Sequence, residues 1–155
     1  MNGLVASVLT DLFGPPEPGS DADSLAWTTW RSNDPDHRSR LYRRTGPTDL
    51  PDALLACYGD FGGGFLIGSS IKMATIDSQD VHGLYRFDEL AIQPELSDVR
   101  VQRPELHFFL DAANVWFYGI EGDTLVAFDA DLDEITDLGD PAAALPDLLT
   151  EWLDS

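Results

Sequence analysis

The chain has a single cysteine, Cys57, and a single lysine, Lys72, among its 155 residues. One cysteine excludes an intramolecular disulfide and makes a reducing compartment the default. Basic residues are scarce altogether, 9 against 28 acids, for a formal net charge of −19. From Pro104 to Ser155 there are thirteen carboxylates and no Lys or Arg. Nucleic acid is therefore not expected as a direct ligand, because neutralising phosphates takes clustered Lys and Arg. No apolar run approaches the about 18 residues of a membrane span, and residues 1–13 lack the basic start and continuous apolar run of a signal peptide. The cytoplasm is the expected location. The excess of Arg over Lys, with abundant Ala, Asp, Gly and Leu, reads as a GC-rich bacterial coding sequence.

What is present suffices for one domain, residues 1–155. A chain of this length buries roughly 70% of its unfolded surface, and 43% hydrophobic residues supply a core without staples. The acid surplus is a standing repulsion, softened beyond a Debye length of about 8 Å, and it steers cationic proteins inward.

Leu4, Val5, Val8, Leu9, Leu12 and Phe13 recur at helical spacing, so residues 2–13 are expected to be helical, with Gly14-Pro15-Pro16 as the stop. Residues 14–24 read as a linker or surface loop, and 24–30 equally as a helical turn or a strand. Arg31 to Arg44 holds five of the nine bases and reads as exposed. Asp49 to Tyr58 is expected to be a helix with proline in its first turn and Gly59 as its cap. Gly62-Gly63-Gly64 then reads as a tight turn leading into a strand at 65–67, with further strands at 71–76 and 96–103 and a short helix or turn at 85–90. The clearest region is 106–138. Leu106–Leu110 suits a central strand, and 114–120 and 124–128 form a hairpin around Glu121-Gly122-Asp123. A turn at Asp131–Asp133 precedes a strand at 134–138, and Asp140 caps a closing helix over 141–153.

The candidate chemistry is thin. Asp129, Asp131 and Asp133 occupy the first three ligand positions of a calcium loop, with Asp137 available as a fourth ligand. The sixth position is Glu134 instead of glycine, and the twelfth is Asp140 instead of a bidentate Glu, so a solvated Asp-rich turn is the better reading. The glycine run lacks a Gly-Lys-Ser/Thr ending. Cys57 has no histidine near it in sequence to activate it, and His37, His82 and His107 are scattered singly, with no close pair to nucleate a zinc site. No catalytic, metal or cofactor residues are assigned. Trp116 and Tyr118 alternate onto one face of their strand and Phe117 onto the other; an open Trp116 flanked by Asp111, Glu121 and Asp123 would anchor a basic partner.

The segment Leu50–Gly63 (LPDALLACYGDFGG) resembles the opening of the SUKH superfamily: Leu-Pro, a short helix, then Gly-Gly. Leu106–Tyr118 is similar to that family's strand, turn and strand around Gly-Asn-Gly-Asp, of which Ala113-Asn114-Val115-Trp116 keeps the Asn. Asp88–Leu90, the acid turn after Phe128 and the closing Leu149–Leu153 also fit, so the likeness covers about residues 48–154, with 1–47 as an N-terminal helix and loop extension. The family includes relatives of yeast cell-wall-assembly regulators and of bacterial toxin-immunity proteins. The resemblance implies an α+β domain with a twisted, mostly antiparallel sheet packed by N-terminal, central and C-terminal helices; with the segments above, about five to six strands are expected. It also implies a non-enzymatic role: neutralising a basic toxin, often a nuclease, by binding it. The expected contributors are Asp111, Trp116, Glu121, Asp123, Asp129, Asp131 and Asp133. The alternatives are a regulatory or scaffold domain recruiting an endogenous protein, or an enzyme whose site is invisible in sequence.

Overall fold

Val5, Val8 and Leu9 repeat at helical spacing, and helix α1 (Gly3–Phe13) buries all three. Gly14, at φ +83°, ends it by donating its N–H to the Thr10 carbonyl at 2.8 Å. The computed structural model describes residues 3–20, 25–31, 38–46, 49–67, 71–77, 81 and 83–153. Next come β1 (Glu17–Ser20), β2 (Ala26–Arg31), β3 (Arg38–Arg43), α2 (Asp52–Tyr58), β4 (Phe61–Ile67) and β5 (Ile71–Met73). The remainder is α3 (Phe87–Ala91), a 3₁₀ turn (Pro94–Leu96), α4 (Ser97–Gln102), β6 (Leu106–Ala112), β7 (Trp116–Glu121), β8 (Thr124–Asp129), β9 (Glu134–Gly139) and α5 (Pro141–Leu153). No helix of the described residues is long and apolar enough to cross a membrane.

The strands form one open antiparallel meander in chain order, β1 to β9. Nine strands among the described residues overturn the expected five to six. The additional ones are β1, β2 and β3, in the segments read as a loop, as undecided and as exposed. Their sequences hide strand character for physical reasons. β1 is Glu-Pro-Gly-Ser, and an edge strand tolerates proline because one side of it needs no ladder bonds. In β3 Ser39 and Leu41 are buried on one face and Tyr42 on the other, the face it shares with Arg40, and Ser39 Oγ satisfies itself on the Leu66 carbonyl. The outward Arg40 lays its guanidinium over Trp27 and Phe65, 4.7 and 5.5 Å from the ring centroids, so a base acts as a lid on apolar rings.

Two further expectations are corrected. Gly62-Gly63-Gly64 is not a turn but the middle of β4. A Cβ on Gly62 would meet the Tyr42 ring at 2.6 Å, and one on Gly64 the Arg40 carbonyl oxygen at 2.0 Å. The glycines let β3 and its Tyr42 ring lie against the strand. Residues 96–103 are helical through α4 instead of extended: Val99 is buried while Val101 is 83% exposed, so their alternation did not signal a sheet.

Helices α1, α2 and α5 cover one face of the sheet, over Trp30, Leu66, Met73, Phe109, Ile120 and Leu125. The other face is covered by the 84–103 region, whose Leu90, Leu96 and Val99 pack on Phe108, Phe117, Val126 and Phe128. Each fully buried Leu, Val or Phe contributes about 1.5–3 kcal/mol. Arg103, just past α4, ties this layer to the sheet. Its Nε donates to Glu121 Oε2 and its Nη2 to Asp137 Oδ1, both at 3.1 Å. Replacing Arg103 with Met strands two carboxylates, and is expected to cost about 1–2 kcal/mol in chemical denaturation, with much of the loss recovered in high salt.

Candidate functional site

The meander sorts the acids by turn. The β6–β7 and β8–β9 turns lie at one end of the sheet, while the β7–β8 turn lies at the other. Asp111, Trp116, Asp129, Asp131 and Asp133 are therefore brought together, and Glu121 and Asp123 are not. Five strand steps separate Trp116 from Glu121, about 17 Å, and Glu121 is already engaged by Arg103.

Within the first end the carboxylates divide again. Asp129 is buried, and its Oδ1 accepts the N–H groups of Asp131 (3.0 Å) and Leu132 (3.2 Å). Asp111 is buried on the opposite face, where its Oδ1 accepts the Asn114 N–H at 2.8 Å and Lys72 lies across from it on β5. These two acids build the turns instead of meeting solvent. The Asp111 bond holds a tight loop in which Ala113 and Asn114 both have positive φ, +57° and +61°, a conformation that asparagine tolerates and alanine resists. The two turns are joined by the Ala130 N–H donating to the Val115 carbonyl at 2.8 Å.

Burial raises the Asp111 pKa above the ordinary carboxylate value; Glu95 adds to this, and the Asn114 amide and Lys72 oppose it. A carboxyl that holds its proton more tightly when folded contributes stability at low pH that is lost as pH rises through its folded pKa. Asp111→Asn keeps the acceptor without the charge. It is expected to match wild type in acid, below the usual carboxylate range, and to exceed it at pH 7, as thermal unfolding across pH will show. Asp111→Ala lacks the acceptor and is expected to lose about 1 kcal/mol at every pH.

On the outer side of this end stands Trp116, 40% exposed. Its ring stacks on Tyr118 (centroids 6.3 Å apart, planes at 19°), and Tyr118 meets Trp152 of α5 edge-on at 4.8 Å. Burial, with Glu151 and Asp129 nearby, pushes the Tyr118 hydroxyl up to about 12. The result is a fixed aromatic row with one open ring. Asp131, Leu132, Asp133 and Glu134, in and just after the adjoining β8–β9 turn, are exposed, Leu132 at 65%. Glu134 pairs with Asp129, which pairs with Trp116, so all three side chains share a face. Among the described residues no Lys or Arg forms an ion pair with Asp131, Asp133, Glu134 or Glu151.

Glu134, Leu132, Glu151 and Trp152 were not foreseen as site residues. The Glu134 position follows from strand pairing, which single-sequence alternation does not supply; Glu151 and Trp152 reach the site through the docking of α5. The calcium-loop reading has no geometric support: Asp129 is occupied by turn amides, and Arg103 holds Asp137 on the other face. Among the described residues no group of three or more His, Cys, Asp or Glu is placed to hold a metal. His37 and His82 lie outside the described residues, while His107 is half-buried with its ring 5.9 Å from Phe87. Cys57 is buried, and burial pushes its thiol up to about 12, which makes it a poor nucleophile. Comparison with known proteins finds no matching family model, no matching curated protein and no matching solved structure.

Proposed function

We propose that this chain is a non-enzymatic binding domain that captures a basic protein at the Trp116 end of its sheet, in the manner of an immunity protein neutralising a cytoplasmic toxin. One observation carries the reading: a half-open tryptophan, stacked on Tyr118, shares its end of the sheet with exposed acids that pair with no base of the described residues. Such an end accepts Lys and Arg both as cation–π partners and as ion-pair partners. The two linked turns preorganise it, so little entropy is lost on binding. The resemblance of Leu50–Gly63 and Leu106–Tyr118 to the SUKH superfamily points the same way. Of the expected contributors, Trp116, Asp131 and Asp133 are retained, with Leu132, Glu134 and Glu151 added. Asp111 and Asp129 support the turns, and Glu121 and Asp123 face elsewhere. An interface of about 800 Å² on each partner would cover this end.

Co-purification with the product of the adjacent gene tests the assignment, because an immunity gene sits beside its toxin gene. Capture that is lost on replacing Trp116 with Ala supports it. Failure to capture that product, combined with capture of a chromosomally remote basic protein, moves the domain to the regulatory class.

A further inference from the structure

We propose that the outer edge of β9 and the groove beside α5 receive an extended basic segment, which adds to the sheet as a tenth strand. This rests on the basic-partner reading and names the form in which the partner binds. β9 ends the sheet, pairing with β8 alone, and its outer backbone groups have no backbone partner among the described residues. An open strand edge is a template for another strand. Beside it runs a groove of about 380 Å³ between β9 and α5. Leu138, Ala144 and Leu148 form its floor, and Asp147 and Glu151 its rim.

The chemistry selects the occupant. Side chains of an added strand alternate, so every second one enters the groove. A Lys or Arg there lays its aliphatic stem on the Leu–Ala floor and brings its charge to Asp147 or Glu151. No base of residues 104–153 competes, and Arg103 lies on the other face of the sheet with Glu121 and Asp137. A second copy of this chain fits poorly. Pairing β9 with β9 sets Glu134 and Asp137 among like charges, and the opposite edge, β1, carries Pro18. The groove opens on the same face as Trp116, so one partner can span both.

The probe is a peptide of about eight residues alternating Arg and Val, titrated into the isotopically labelled full chain at low salt. Its control is the same peptide N-methylated on every backbone amide nitrogen, equal in charge but with no N–H to donate to the ladder from either edge. The expected result is amide shifts across Glu134–Gly139 and α5, with the methylated peptide bound about tenfold more weakly or worse. Equal binding of both peptides, with shifts confined to residues 113–116 and 131–133, overturns strand addition and leaves the partner reading standing. No binding of either peptide overturns both. Amide shifts in β9 that change on diluting the protein alone show that a second copy fills the edge, and overturn the proposal.

Discussion

Gly64→Ala is expected to cost about 3 kcal/mol or more and to lower the melting temperature by about 10 °C. The cause is steric. An added Cβ lies 2.0 Å from the Arg40 carbonyl oxygen and 2.8 Å from Leu41 Cα, both backbone atoms of β3, so no side-chain rotation relieves the clash. The strand would have to separate, loosening the ladder beneath Tyr42, whose hydroxyl donates to Asp77 at 2.6 Å. Gly122→Ala is the control. It sits at φ +61° in the β7–β8 turn with nothing within 4 Å, so only the left-handed backbone cost of about 1 kcal/mol applies. Calorimetry on the two variants separates crowding from conformation. If Gly64→Ala is no worse than Gly122→Ala, β3 and β4 do not approach as described.

The second large effect concerns binding. Reversing Asp131, Asp133 and Glu134 to Lys is expected to slow association with the adjacent gene's product by about 10–100-fold at low salt, because steering by a uniform field is lost. Trp116→Ala should act mainly on dissociation, by about 30-fold, as the loss of a central aromatic anchor does. The reversal should change folding stability little: it relieves repulsion in a chain of net charge −19 and breaks no ion pair with a base of the described residues, while Asp133, at φ +53°, holds a left-handed backbone that lysine resists more than aspartate. Affinity therefore falls while stability hardly moves, an outcome that a purely structural role for these acids would not give.

Residues 106–153 were legible because they obey local rules. Leu106–Leu110 is an apolar run, Trp116–Ile120 alternates, Gly122 marks a turn, and Asp140-Pro141 opens a helix; strands and helix stand where those signals put them. In the first half the helices α1 and α2 stand where their spacing and proline put them, but β1 to β4 were not legible because their signals are tertiary. Arg40 belongs in a strand only because Trp27 and Phe65 lie beneath it, and the glycines of β4 are dictated by the closeness of β3. The site was half legible for a related reason. That acids cluster with Trp116 was visible in the sequence; that Asp111 and Asp129 turn inward to accept amide hydrogens was not, since the same carboxylate serves a turn or a partner depending on what lies two or three residues away in space.

The most direct test of the central claim is the rate at which the adjacent gene's product associates with the wild-type chain and with the Asp131, Asp133 and Glu134 charge-reversal variant, followed by stopped flow over a range of ionic strength. The expected result is a steep fall with salt for the wild type and a nearly flat line for the variant, the two converging at high salt. Parallel lines of equal slope would contradict it, by showing that the acids at the Trp116 end take no part in drawing the partner in.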